Sequence, residues 1–110
     1  MRSIKKPTGS KRAALLRTSD FTRSFLCDWE RLSRSGRYDM HRLKEAMLLL
    51  IANDAPLGAE WLDHALKGDW SDHRECHMGG NFLLIYQVDG KSPRQSITFV
   101  RAGTHAELFE

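Results

Sequence analysis

At 110 residues, with 41% hydrophobic content, the chain has room for one domain with one modest core, and its composition excludes wholesale disorder. The net charge of +3 hides an asymmetry: residues 1–45 carry 12 Lys/Arg against 5 Asp/Glu, a balance of +7, while residues 46–110 carry 5 against 9, a balance of −4. A basic half fits a phosphate-rich or acidic partner, the plainer alternative being a solvated basic face. The longest apolar run, Ala46–Ala52, is far short of the roughly 20 residues of a membrane span. The basic N-terminus has no apolar core, so no secretory signal is expected. Two cysteines, Cys27 and Cys76, are too few for a disulfide scaffold and fit free thiols in a reducing cytoplasm.

Residues 1–11 hold Lys, Arg, Ser, Gly and Pro and read as a basic tail before a single domain over 12–110. Ala13–Thr18 reads as a first strand. Ser19 or Asp20 is placed to cap a helix in which Phe21, Phe25, Trp29 and Leu32 recur at helical spacing, ended by Ser35-Gly36. Asp39 caps a second helix with Met40, Leu43, Met47, Leu50 and Ile51 on one face. Residues 52–71, with Pro56, Gly58 and Gly68, read as a long loop, a kind that is often functional. Three strands follow, His73–Met78, Phe82–Val88 and Ser96–Arg101, separated by Gly79-Gly80 and Asp89-Gly90. Short turns imply an antiparallel meander. The expected fold is α+β: a small, mostly antiparallel sheet with two N-terminal helices packed on one face.

Four of the five histidines, His64, His73, His77 and His105, lie after residue 60. Imidazole is the side chain best suited to moving protons near neutral pH, although a lone surface histidine most often has no role. Strand alternation puts His73, Glu75 and His77 on one face and Arg74, Cys76 and Met78 on the other, and it groups Arg101 with Phe99 and Ile97. A zinc site built on His73, Cys76 and His77 fails this alternation, because Cys76 points away from both histidines. No metal or cofactor is expected. Histidines with an arginine supply what metal-free RNA cleavage needs: a base for the 2′-OH, an acid for the departing 5′-oxygen and a cation for the phosphate.

Three segments go beyond composition: Asp63-His64-Ala65-Leu66-Lys67-Gly68-Asp69-Trp70, then Arg74-Glu75-Cys76-His77 with Asn81-Phe82-Leu83-Leu84-Ile85-Tyr86, then Arg101-Ala102-Gly103-Thr104-His105-Ala106-Glu107-Leu108-Phe109. In this order and spacing the chain resembles the YafQ-like branch of the RelE superfamily, over about residues 13–109. The resemblance implies a ribosome-dependent endoribonuclease toxin that cleaves mRNA in the ribosomal A site. It also implies a cognate antitoxin, acidic and DNA-binding, in a toxin–antitoxin hetero-oligomer, with no membrane partner. Carried over by position, the site residues are His64, His77, Asn81, Arg101 and His105 for catalysis, with Phe82 and Phe109 against the substrate. Asn81 stands where the family has an acidic residue, and an amide lacks the basicity of a carboxylate. The rival readings are a module of the same fold that binds antitoxin or nucleic acid without cleaving, and a zinc-binding domain.

Overall fold

Residues 17–53, 57–90 and 95–109 are described in the computed structural model. In chain order they form β1 (Thr18–Phe21), α1 (Arg23–Ser35), α2 (Met40–Ala52), β2 (His64–Ala65), β3 (Arg74–Gly79), β4 (Phe82–Asp89), β5 (Ser96–Thr104) and α3 (His105–Phe109). The five strands make one sheet in the order β1-β5-β4-β3-β2. Short turns join β3, β4 and β5 into the antiparallel meander, and β2 adds antiparallel to β3. β1 pairs parallel to β5, an arrangement that needs a long crossover, here supplied by α1 and α2. The α+β reading therefore holds, with a mixed but mostly antiparallel sheet.

The start of the domain differs from expectation. The first described strand is Thr18–Phe21 rather than Ala13–Thr18, and residues 13–16 lie outside the described residues. Phe21 is a half-exposed strand residue, not the first turn of the helix. The cap is Thr22, not Ser19 or Asp20: its Oγ1 accepts from Phe25 N at 3.0 Å and donates to the Val100 carbonyl at 2.7 Å. Its own N–H donates to Phe99 O at 3.0 Å. One threonine thus starts α1 and fastens it to β5, which local capping propensity could not foretell.

α1 ends at Gly36, which takes the left-handed conformation at φ 68° that glycine adopts without a Cβ penalty. Asp39 caps α2 as expected, accepting from Arg42 N at 2.9 Å. Phe25, Leu32, Leu43, Ala46 and Leu50 bury against Cys76, Met78, Phe82, Leu84, Tyr86, Ile97, Phe99 and Ala102 on one sheet face. The other face carries a smaller cluster of Leu83, Ile85 and Leu108, flanked by Leu66, Trp70, Val100 and Phe109. β4 contributes to both, as its unbroken apolar run requires. The stretch read as a loop contains two single 3-10 turns and the short β2, and α3 follows β5 where no helix was expected. No helix among the described residues is long and apolar enough to cross a membrane.

A bulge in β5 re-aims one functional side chain. Ile85 pairs with Arg101 and Tyr86 with Phe99, so Val100 is the extra residue. Simple alternation placed Arg101 with Phe99 and Ile97; instead those two enter the helix-side core, and Arg101 falls opposite Ile85. A bulge changes which face the following residues present.

Candidate active site

The site lies on the sheet face away from α1 and α2. Residues directly opposite in an antiparallel ladder point to the same side. His64 pairs with Glu75, Glu75 with Ile85, and Ile85 with Arg101, making one row across four strands. His77, Leu83 and Gly103 form the neighbouring row. With strands about 4.8 Å apart, the sheet sets the order and rough spacing of these groups before any side chain reaches out.

His64 is held by the residue before it. The Asp63 carboxylate, 0% exposed as a side chain, accepts from the Tyr86 hydroxyl at 2.7 Å, from Arg74 Nε at 3.1 Å and from Leu57 N at 2.7 Å. Buried charge is tolerated when it is so fully satisfied. Burial, reinforced by the negative Asp63, pushes the Tyr86 hydroxyl well above its ordinary value, so it stays a donor. Beneath the same loop, the Arg42 guanidinium stacks over the Trp61 ring at 3.6 Å. Leu62 takes a left-handed conformation at φ 49°, costly for a residue with a Cβ. That turn brings its carbonyl to 2.7 Å from His64 Nδ1.

Glu75 lies between the two histidines. Its side chain is only 8% exposed, and Oε2 is 3.1 Å from His77 Nε2 and 3.3 Å from His64 Nε2. The other oxygen, Oε1, is buried without a hydrogen-bond partner among the described residues. The imidazole centroids are 6.0 Å apart. Cys76 is buried on the opposite face, where burial pushes its thiol up to about 12, so it takes no part in a grouping with His73 and His77. The donor set that does converge among the described residues is His64, Glu75 and His77, all within 4.8 Å of one another, a spacing that a cation could also use.

Arg101 is already paired with a carboxylate. Its Nε donates to Asp28 Oδ2 at 2.7 Å and its Nη2 to Asp28 Oδ1 at 3.1 Å. Asp28 also accepts from the Ala102 backbone N–H at 3.1 Å and from Arg31 Nη2 at 3.1 Å. Burial alone would raise Asp28, but these donors outweigh it and hold the carboxyl below its ordinary value. The hydrogen bonds to Asp28 in turn hold the Arg101 guanidinium above its own. None of the hydrogen bonds among the described residues uses Arg101 Nη1, and the side chain is 29% exposed, so its outer edge can still meet an anion. Asp28 sits three residues after Phe25 and four before Leu32, within the apolar stripe of α1. A charge in such a stripe was the available signal for it.

α3 carries His105 and Phe109. Thr104 and Glu107 cap it reciprocally: Thr104 N donates to Glu107 Oε1 at 2.8 Å, and Glu107 N donates to Thr104 Oγ1 at 3.2 Å. Arg31 Nη1 donates to Glu107 Oε2 at 2.6 Å, tying this short helix to α1. Gly103 is needed where it stands, since a Cβ there would lie 2.6 Å from Glu107 Oε1. Leu108 packs on Leu83 and Ile85, and Phe109 meets Trp70 edge-on at 5.8 Å. The His105 ring lies 4.8 Å from Phe109 and is exposed.

His64, His77, His105 and Phe109 therefore share one face, with Arg101 at its rim, where β1 no longer covers β5 and the guanidinium turns to Asp28 of α1. Asn81 is exposed on the β3–β4 turn, beside Gly80 at φ 55°. Phe82 does not join them: it is buried in the helix-side core with its ring 5.0 Å from Tyr38, so the position carried over from the resemblance for substrate contact does not face the site here. Glu75, Asp28 and Asp63 are the supporting residues that motif reading passed over. Glu75 was signalled by its place between His73 and His77 on one strand face.

Comparison with known proteins agrees with this fold. Residues 17–110 match the family described as "Bacterial toxin of type II toxin-antitoxin system, YafQ". The mRNA interferase toxin YafQ of Escherichia coli strain K12 is 42% identical over 79 residues, covering 72% of this chain and 82% of that protein. The crystal structure of YafQ from E. coli strain BL21(DE3) aligns with a TM-score of 0.74 at 35% identity, over 86% of this chain and 99% of that one. The toxin in the crystal structure of the E. coli DinJ–YafQ toxin–antitoxin complex aligns with a TM-score of 0.73 at 36% identity, over the same shares. The chain belongs to the YafQ family of bacterial type II toxin–antitoxin toxins.

Proposed function

We propose that this chain is an mRNA interferase, an endoribonuclease toxin that cuts mRNA in the ribosomal A site and is neutralised by a cognate antitoxin. The observation that carries the reading is the single open face bearing two carboxylate-linked imidazoles, one arginine with an outward edge and a third imidazole on α3. A histidine of the Glu75 pair takes the proton from the 2′-OH. The 2′-oxygen attacks phosphorus as the bond to the 5′-oxygen breaks, and His105 gives its proton to that leaving oxygen. Arg101 stabilises the charge on the phosphate through its outer edge. Phe109 braces His105 and offers a face for a base. Every proton and charge in this route has a side chain, so the route needs no metal. The relatives named mRNA interferase toxin, and the DinJ complex of one of them, support the activity and the antitoxin partner. The excess of basic residues over 1–45 favours steered association with ribosomal RNA or an acidic antitoxin. Induction without an antitoxin should arrest growth with mRNA cut at ribosome-bound positions. Soluble, folded protein that leaves growth and mRNA intact would refute the reading.

The alternative, a module that binds without cutting, draws on Asn81, an amide where the family has an acid. If cleavage is the function, Asn81→Asp should keep or raise the rate, because a carboxylate at an exposed turn position is tolerated and can orient or accept a proton. Single-turnover cleavage of ribosome-bound mRNA measures this. A large loss with the melting curve unchanged would assign the Asn81 amide a role of its own.

A further inference from the structure

The two histidines beside Glu75 are not equivalent, and their hydrogen bonds separate them. His77 meets Glu75 Oε2 through Nε2 at 3.1 Å. Among the described residues no hydrogen-bond partner meets its Nδ1, and its side chain is 22% exposed. His64 differs: its hydrogen bond is made through Nδ1, to the Leu62 carbonyl at 2.7 Å, while Nε2 stands 3.3 Å from the same carboxylate oxygen. A carboxylate and a carbonyl only accept, so His77 Nε2 and His64 Nδ1, each hydrogen-bonded to one of them, carry hydrogen. The constraint is strong at Glu75, because Oε1 is buried with no hydrogen-bond partner among the described residues and a buried carboxyl short of donors is costly.

We propose that Glu75 is a positioning residue that divides the labour between the two histidines: its hydrogen bond fixes His77 as the Nε2–H tautomer, leaving Nδ1 as the lone pair that takes the 2′-OH proton, while His64, its Nδ1 hydrogen held by the Leu62 carbonyl, serves as a proton-bearing group toward the phosphate. The strained turn at Leu62 belongs to the same device, since it supplies the acceptor for His64. The proposal rests on the nuclease reading, but the tautomer lock is a property of the protein alone and is measured without RNA.

The first measurement is long-range proton–nitrogen NMR on the intact chain labelled with ¹⁵N at histidine. Wild type should show His77 protonated on Nε2 and bare on Nδ1. In Glu75→Ala the acceptor is gone, so His77 should gain the Nδ1–H form. A His77 found as Nδ1–H in wild type, or a tautomer ratio unchanged in Glu75→Ala, overturns the lock. The second measurement is single-turnover cleavage, run with a transition-metal chelator so that no cation competes for the three side chains, and with thermal melts alongside. Glu75→Ala should lower the saturating single-turnover rate by about 10²-fold, the low end for loss of a general base, with the half-saturating concentration nearly constant. Glu75→Asp, which keeps the acceptor, should recover part of the rate. His64→Lys keeps a proton-bearing group and should lose less rate than His77→Lys, which removes the lone pair and should lose about 10²-fold or more. The reverse order for the two lysine variants overturns the assignment. Wild-type protein inactive on ribosome-bound mRNA would defeat the nuclease reading and the assignment of a base with it, while the NMR result would still decide whether Glu75 sets the tautomer.

Discussion

Replacing His105 with Ala should slow cleavage of ribosome-bound mRNA by roughly 10²–10⁴-fold while leaving the melting temperature nearly unchanged. The rate effect is the usual size for loss of a general acid. The stability forecast follows from structure: the ring is exposed, and the features that hold α3 in place belong to other residues. Thr104 and Glu107 close the cap, Arg31 ties Glu107 to α1, and Leu108 packs on Leu83 and Ile85. Alanine is also a good helix former. The contact that is lost is the ring on Phe109 at 4.8 Å, a surface interaction of the kind that rarely exceeds about 0.5 kcal/mol in stability. His41→Ala is the control, since His41 is exposed on α2, on the other side of the sheet from the site. A His105→Ala variant that cleaves like wild type would remove His105 from the mechanism. One that loses activity only in proportion to unfolding would make it structural.

Replacing Asp28 with Asn should destabilise the fold by about 3 kcal/mol at neutral pH, the lower end for removing one partner of a buried ion pair. For a domain of this size that is a fall in Tm of more than about 10 °C. Asp28 accepts from Arg101, the Ala102 backbone and Arg31, so its loss removes a charged tie between α1 and the half of β5 that β1 does not cover. The effect carries a pH signature. The Asp28 carboxyl is held below its unreacted value of 3.8 in the folded state, so its stabilisation is fully present above that value and is lost as pH falls through the lowered one. The gap in stability between wild type and Asp28→Asn, read by denaturant titration at several pH values, should therefore be constant near neutrality and shrink below about pH 4. A gap independent of pH down to strongly acidic conditions would mean that the carboxylate charge contributes nothing. The same geometry governs how Arg101 should be probed. Arg101→Ala would strand Asp28 and mix misfolding with lost catalysis, whereas Arg101→Lys keeps the charge for Asp28 and gives up the fork that spans carboxylate and phosphate together.

The sequence alone determined the fold class, the two amphipathic helices and the three-stranded meander. Each rests on a local cause: apolar spacing of 3.6 or 2, the Asp39 cap, and glycine turns at Gly79-Gly80 and Asp89-Gly90. It also named the candidate residues, because His64, His77, Arg101 and His105 stand in motifs whose order and spacing are specific. What only the tertiary structure decided is which neighbours those side chains meet. The start of α1 is set by Thr22 reaching the Val100 carbonyl, 78 residues away, and no local pattern encodes a partner at that separation. The face of Arg101 turns on a single extra residue, Val100, and strand alternation cannot see a bulge because it counts the chain without its pairing. Phe82 and Asn81 lie side by side in sequence, yet one enters the core and the other stays in solvent, as adjacent residues at a strand end do. Glu75 becomes more than a polar strand residue only when β2 brings His64 beside it, and β2 is two residues long, too short to leave a periodic trace. Its existence depends on Asp63 being satisfied by Tyr86, Arg74 and Leu57, a buried hydrogen-bond network that forms only once the meander has folded.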